Sequence, residues 1–217
     1  MRLIIALAAM LAAATQASGQ TVAELHDAVT AGDLARVGVL INSGASVDEK
    51  NNSGETALLL AVKHDKTAIA KSLMAAGASI NALAKNKDTP WLLAGASGRT
   101  EIIQEMIPLG PDLSIRNRYG GNALIPACER GHVETIKLLL TTAIDVNHVN
   151  NLGWTCLLEI VILGDGGLRH VEAARLVLDA GANPNLADKD GVSPLAHARA
   201  KGQAEVAALI EKAGGKP

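Results

Sequence analysis

Cys128, Glu129 and His132 are the most reactive combination of side chains in the sequence. Cys128 and His132 are four residues apart, which resembles the pairing of a thiol nucleophile with an imidazole base. A working site also needs a third group that orients the base and donors that stabilise an oxyanion. Glu129 lies between the two residues, but an isolated pair of this kind seldom forms a triad. The sequence therefore predicts no catalytic residue, and an enzyme is the least favoured function.

A glycine-rich segment, residues 164–170, is the second candidate for chemistry. It reads Gly-Asp-Gly-Gly-Leu-Arg-His, and backbone groups in such a run can cradle an anion or a cation. It lacks the Lys and Ser of a phosphate loop and the spaced carboxylates of a calcium loop. Because glycine clusters mostly mark turns, a turn is the favoured interpretation and an ion site the alternative.

Histidine spacing does not favour a metal site. The sequence contains neither the H-E-x-x-H pattern nor paired C-x-x-C motifs. The remaining histidines are scattered along the chain: His26, His64, His148 and His197. We therefore expect no metal ion and no other cofactor.

The segments that carry these residues recur at a fixed period. Five short segments have a common shape, Gly or Ala followed by a polar turn, and the first four begin at a constant interval along the chain. The fifth begins later than that interval predicts, which indicates an insertion of five residues. The segments begin at Gly44, Gly77, Gly110, Ala143 and Gly181. A period of this length is typical of a repeat protein in which each unit stacks on the next.

A second recurring position predicts where a helix begins in each unit. A side chain that can accept a hydrogen bond from free backbone N–H groups occupies it. The next residue is twice Pro, which suits the first helical position because no N–H partner is needed there. The third residue begins the apolar core. The capping positions are Thr56, Thr89, Asn122, Thr155 and Ser193.

These columns resemble the ankyrin-repeat family, whose 33-residue units carry the pattern T-P-L-H-x-A. The resemblance implies an all-α solenoid of helix-turn-helix units, each preceded by a β-turn, here called a finger. It covers residues 20–217 in about six units: 21–51, 52–84, 85–117, 118–150, 151–188 and 189–214. The family's His is absent from every unit, so looser fingers are expected. Lys87 replaces the turn glycine of the third finger, which should make that finger the least regular.

The resemblance also suggests which residues bind a partner. Tyr119 and Trp154 fall on the fingers of adjacent units, and Arg116, Arg118 and Leu152 are close to them in sequence. Tyr, Trp and Arg dominate the energetics of protein interfaces. We therefore expect these five residues to form the centre of a contact surface. The alternative for Trp154 is packing on a neighbouring finger, and Trp91, at a core position, is expected to pack inside.

The two cysteines are expected to remain unpaired. Cys156 begins a first helix, and its counterpart in the preceding unit is Ala123, five residues before Cys128. Stacked helices lie about 8–10 Å apart, and the offset along the axis should add to that separation. A bridge needs Cα atoms within roughly 7 Å. Two buried thiols are therefore predicted.

Residues 1–19 have the layout of a secretory signal peptide. Arg2 precedes an apolar run that extends from Leu3 to Ala14, and small residues follow at cleavage spacing, after Ala17 or Gly19. The run is too short to span a bilayer. A buried N-terminal helix is the alternative. We therefore expect a periplasmic or secreted protein that is not inserted in the membrane after cleavage.

Composition and charge narrow the function further. The formal net charge of −2 provides no field that would attract nucleic acid. The family resemblance implies reversible binding of another protein without a cofactor. Two hypotheses follow: a periplasmic scaffold that holds a client protein through its fingers and first helices, or an inhibitor or immunity-type protein that occludes an enzyme's site. The third and least favoured hypothesis is an enzyme that uses Cys128, His132 or the 164–170 insertion.

Overall fold

A computed structural model of the chain describes residues 22–217. All regular secondary structure in that range is helical, with no β-strand. None of these helices is long and apolar enough to cross a membrane. The predicted signal peptide, residues 1–19, lies outside the described residues. The chain divides into two compact units, one ending at Lys85 and the other Asn86–Pro217.

Two helix pairs make up the described part of the first unit. Each pair consists of antiparallel helices joined by a short turn, and their apolar faces form the core, which includes Leu25, Val37, Leu58 and Leu73. The helices are α1 (22–31), α2 (Leu34–Asn42), α3 (Ala57–Lys63) and α4 (Thr67–Ala75).

The second unit continues the same arrangement. Its helices are α5 (Pro90–Ala96), α6 (Thr100–Met106), α7 (Leu124–Glu129), α8 (Val133–Leu139), α9 (Cys156–Ile162), α10 (Leu168–Asp179), α11 (Pro194–Ala200) and α12 (Ala204–Lys212). A 3₁₀ turn, Ile107–Leu109, follows α6. The first helices α5, α7, α9 and α11 pack on one another in chain order, and so do the second helices α6, α8, α10 and α12. Each first helix also packs on the second helix of its own pair.

The capping residues lie where the sequence predicts. The side chains of Thr56, Thr89, Thr155 and Ser193 each accept a hydrogen bond from the backbone N–H three residues later. Asn122 accepts from the N–H groups of both Leu124 and Ile125, at 3.1 and 3.2 Å. These bonds satisfy N–H groups that have no partner inside the helix. The cap therefore fixes the start of the first helices α3, α5, α7, α9 and α11.

Asparagine and aspartate side chains hold the backbone of four fingers. In four fingers one Oδ1 atom accepts from the backbone N–H groups two and four residues later. The acceptors are Asn51, Asn117, Asn150 and Asp188. Ala84 occupies this position in the third finger, and Lys87 adopts a left-handed φ of 65° where the other fingers have glycine. The third finger is therefore the irregular one.

The prediction of two unpaired thiols is wrong. Cys128 and Cys156 form a disulfide between α7 and α9, with Cα atoms 5.5 Å apart. The prediction assumed that matching residues of stacked helices lie level, so that the five-residue offset would add to the separation. Instead the start of α9 lies beside the last turn of α7, so the offset brings the two residues together.

A second pair of helices has the same stagger. Gly95 and Ala123 occupy the repeat positions of Cys128 and Cys156 in the preceding pair of units. A Cβ atom built on Gly95 would lie 2.9 Å from the Cβ of Ala123 and 2.7 Å from its carbonyl oxygen. Close approach of these two positions is therefore a property of the stacking, and the disulfide uses it.

Gly95→Ala is expected to destabilise the chain by about 1–2 kcal/mol, although alanine is the better helix former by about 1 kcal/mol. The new methyl group would meet backbone, which cannot move aside without separating α5 from α7. Urea unfolding followed by far-ultraviolet circular dichroism, which reports the helices of both units, measures the change. Gly38→Ala in α2, where an added Cβ has no neighbour within 4 Å among residues 22–217, is the control and should be neutral or stabilising. Equal effects at the two positions would contradict the close approach.

Candidate partner-binding groove

A groove of about 300 Å³ lies between two fingers and two first helices of the second unit. The fourth and fifth fingers form one wall, and α7 and α9 form the other. The fingers contribute Asn117, Arg118, Tyr119, Gly121, Asn150 and Leu152. The helices and their ends contribute Ile125, Pro126, Glu129, Arg130, Glu159 and Leu163.

Three large apolar side chains stand exposed at this groove. Tyr119 is 53% exposed, and Leu152 and Leu163 are each 50% exposed. Isolated exposed apolar residues are common on protein surfaces, but a cluster around one concavity is typical of a binding site. The groove therefore offers a partner an apolar area that is solvent-exposed in this chain.

Finger backbone bonds hold Tyr119 and Leu152 in place. The N–H of Tyr119 donates to Asn117 Oδ1, and that of Leu152 to Asn150 Oδ1, both at 2.9 Å. The N–H of Asn151 donates to the carbonyl oxygen of Tyr119 at 2.9 Å, which joins the two fingers directly. The exposed side chains are thus presented from a fixed backbone.

Both arginines at the groove already have partners within the chain. The guanidinium of Arg118 lies over the ring of Tyr119, 4.6 Å from its centroid, and 3.8 Å from an Asp88 carboxylate oxygen. Arg130 donates to the carbonyl oxygen of Ala96 at 2.7 Å. Neither guanidinium is bonded to an acidic side chain of the groove itself.

Glu159 lies at the base of the groove and is only 4% exposed. Its Oε1 accepts a hydrogen bond from Asn150 Nδ2 at 2.9 Å. Its Oε2 is buried and has no hydrogen-bond partner in the described structure. Burial, together with the nearby Glu129 carboxylate, raises the pKa of Glu159 to about 7.

Comparison with known proteins assigns the family of the chain. Two overlapping stretches, residues 25–117 and 91–188, match the family model of ankyrin repeats in three copies. Together they cover most of the sequence. The chain belongs to the ankyrin-repeat family. The predicted fold class, an all-α ankyrin-repeat solenoid, is confirmed.

Bacterial ankyrin-repeat proteins are among its relatives. An ankyrin repeat domain of Acinetobacter baumannii AYE is 46% identical, with a TM-score of 0.85, over 88% of this chain and 98% of that one. The ankyrin repeat protein EF0377 is 37% identical, also with a TM-score of 0.85 and the same coverage. The putative ankyrin repeat protein YahD of Escherichia coli (strain K12) is 47% identical over 73 residues. That match covers 34% of this chain and only 36% of YahD.

The predicted contact residues divide into two groups in this ankyrin-repeat structure. Arg118, Tyr119 and Leu152 line the groove. Arg116 and Trp154 are not among its lining residues. Arg116 donates to the carbonyl oxygens of Leu113 and Ile115 in its own loop, and Trp154 is half-buried before the cap of α9. Partner binding by these residues stays a prediction.

Sequence reasoning missed Glu129, Glu159 and Leu163 as groove residues. Glu159 could have been noticed because it is the one charged residue in the otherwise apolar helix α9. Its position opposite Asn150 depends on how the finger folds over the helix, which residue types alone do not specify.

Cys128 and His132 do not form a thiol–imidazole pair. The sulfur of Cys128 is bonded to Cys156, so this residue has no thiol to act as nucleophile. His132 precedes α8 in the turn between the helices of its repeat. Burial lowers the pKa of His132, which favours the neutral ring.

Residues 164–167 of the insertion form a hydrogen-bonded turn, and residues 168–170 begin α10. Asp165 Oδ1 accepts from the Gly167 N–H at 2.9 Å and pairs with His170 Nδ1 at 2.6 Å. The other ring nitrogen, Nε2, lies 3.0 Å from the carbonyl oxygen of Glu129. Across residues 22–217 no cluster of His, Cys, Asp and Glu has the arrangement of a metal site. These bonds support the favoured interpretation of a turn.

Proposed function

We propose that this protein is exported and acts as a non-enzymatic scaffold that binds another protein through the groove of the fourth and fifth fingers. Ankyrin repeats generally serve as protein–protein interaction scaffolds. The observation that carries the proposal is the cluster of exposed Tyr119, Leu152 and Leu163 on a rigid backbone. Rigid aromatic and aliphatic side chains bury a large area at low entropic cost.

Replacing Tyr119 and Leu152 together by alanine should reduce capture of the partner by about thirty-fold or more, as expected when two central interface residues are lost. Both side chains are half exposed, so the fold should remain intact. This pair is a cleaner test than Tyr119 with Trp154, because the half-buried Trp154 also contributes to packing. The mature chain, residues 20–217, serves as bait in periplasmic extract, and captured proteins are quantified by mass spectrometry.

The matched control is Leu109→Ala with Leu168→Ala. Leu109 and Leu168 are also exposed, at 50% and 83%, but neither lines the groove. Capture should be unchanged in this control. A partner retained equally by both double variants would overturn the groove as its binding site.

Export is supported by the signal-like N-terminus and by the disulfide, because disulfides form and persist in oxidising compartments such as the periplasm. The test is fractionation of cells that express the full chain. We expect a periplasmic or secreted product that begins at Ser18 or Gln20, with both cysteines oxidised. A product that retains Met1 in the cytoplasm with free thiols would overturn the location.

A further inference from the structure

The base of the groove holds a carboxylate oxygen whose hydrogen-bonding capacity is unused. Glu159 is almost fully buried, yet only its Oε1 is bonded, to the Asn150 side chain. Its Oε2 is without a hydrogen-bond partner in the described structure. Buried polar groups in proteins are normally hydrogen-bonded, so an exception calls for an explanation. The side chain lines the groove, so the exception is explained if this oxygen bonds a molecule outside the chain.

The chain's own nearby cations do not fill this role. Arg130 is bonded to the Ala96 carbonyl oxygen, and Arg118 stacks on Tyr119 beside Asp88. From the next repeat, Lys201 donates to the carbonyl oxygens of Ile162 and Gly164, at 2.6 and 3.1 Å.

A similar pair in the first unit shows what completes such a carboxylate. Glu55 accepts from Asn51 Nδ2 at 3.1 Å, as Glu159 accepts from Asn150. The second oxygen of Glu55 accepts from Lys63 Nζ at 2.8 Å. The repeat position of Lys63 is occupied by Ile162 in the unit of Glu159. Glu55 occupies the repeat position of Trp154 and not that of Glu159, so the two pairs share chemistry but not position, and of the two only the Asn51–Glu55 pair receives an ammonium group from the described chain.

We propose that the groove binds a lysine or arginine side chain of the partner protein, whose cation bonds Glu159 while apolar neighbours pack on Tyr119, Leu152 and Leu163. This inference rests on the proposed function and names the chemistry of the partner. The cation would satisfy Oε2 and neutralise a site that already contains Glu129. An ammonium or guanidinium bonded to a carboxylate out of water makes a strong, directional contact.

Binding of such a side chain should strengthen as the pH rises. Glu159 binds a cation well only when ionised, and its pKa lies near 7 in the free chain. At pH 5.5 a small fraction is ionised, so affinity should be roughly thirty-fold lower than at pH 8. Among the charged groups on the helices packed against α9, Glu129 at the end of α7 acts directly on Glu159. Arg130 follows α7, and the others are Arg169, His170, Glu172, Arg175 and Asp179 of α10 and His197 and Arg199 of α11. His170 is bonded to Asp165 and His197 to Asp188.

Selection from a library of random peptides displayed on phage tests the inference. Parallel selections at pH 8 use the mature chain, Glu159→Gln, Glu134→Gln and the Tyr119→Ala/Leu152→Ala double variant. Glutamine preserves the shape of Glu159 and the bond from Asn150 but cannot carry charge. Glu134 is 68% exposed on α8 and does not line the groove, so its variant is the matched control. Enriched peptides are then synthesised with their Lys or Arg retained or replaced by norleucine, and Kd is measured at pH 5.5 and 8.

We expect peptides with one Lys or Arg between apolar residues. Glu159→Gln should weaken peptide binding about ten-fold or more and remove its pH dependence, and replacing the peptide's Lys or Arg by norleucine should do the same. The two changes together should weaken binding little more than either change alone. Glu134→Gln should behave like the natural chain. Peptides that need Tyr119 and Leu152 but no cation would overturn this inference and leave the proposed function standing. Failure to select any peptide dependent on Tyr119 and Leu152 would overturn both.

Discussion

Replacing Cys128 and Cys156 together by alanine is expected to lower the free energy of unfolding by about 3 kcal/mol. The bridge joins residues 28 apart in sequence, and closing a loop of that length restricts the unfolded chain. It also ties α7 to α9 and thus connects the two repeats that form the groove. Both residues are buried, so the truncation removes some packing as well.

Urea unfolding followed by Trp fluorescence measures this loss in the relevant part of the molecule, since Trp91 and Trp154 both lie in the second unit. The oxidised natural chain should be the most stable form. Its reduced form should approach the double variant, and a reductant should leave the double variant unchanged. Equal stability of the oxidised chain and the double variant would show that the bridge does not restrain this unit.

The bridge also shows where reasoning from the sequence failed. Alignment of the repeats placed Cys128 and Cys156 at different repeat positions. The prediction assumed that only equivalent positions lie side by side in stacked helices. In the structure, the start of each of the first helices α7 and α9 lies beside the end of the first helix in the preceding repeat. Gly95 and Ala123 carried the same information, because a glycine opposite a small residue indicates close approach of two backbones. That signal was present in the sequence but could be interpreted only with the stagger known.

The fold class was accessible because independent local signals agreed. The regular period of the repeats, the capping residues and the buried apolar positions all predicted the same helix pairs. How the fingers are held was less accessible. The absence of the family's His predicted loose turns, but Asn117 and Asn150 supply two acceptor bonds each. These bonds hold the finger backbone although the motif's His is absent, and a comparison at the position of that His does not reveal them.

The repeat period also made part of the groove predictable. Tyr119 and Leu152 were placed on adjacent fingers by the period, and the structure brings both to one groove. Arg116 was chosen for its residue type and nearness in sequence, yet its guanidinium is bonded to carbonyl groups of its own loop. Glu159 required three-dimensional information, since its significance lies in an oxygen without a partner in the described structure.

Glu159→Gln is expected to stabilise the chain, and the gain should depend on pH. The pKa of Glu159 is raised from an ordinary value of 4.5 to about 7, because burial and Glu129 disfavour the charged form. Below pH 4.5 the carboxyl group is neutral in both folded and unfolded states, so folding carries no penalty. Between pH 4.5 and 7 the unfolded chain ionises this group while the folded chain keeps it protonated, and the accumulated cost reaches about 3 kcal/mol. Glutamine avoids that cost and retains the acceptor for Asn150.

The measurement is the difference in free energy of unfolding between Glu159→Gln and the natural chain at several pH values from 4.5 to 8.5. The difference should grow by about 3 kcal/mol between pH 4.5 and 7 and then level off, while titrations common to both proteins cancel. A difference that is flat with pH would show that Glu159 is solvated and ionised in the folded state. A growing difference would mean that the chain retains a residue that weakens it at neutral pH and above. Such a cost is typical of a binding site, because the group that destabilises the free protein is the one that a cationic partner would satisfy.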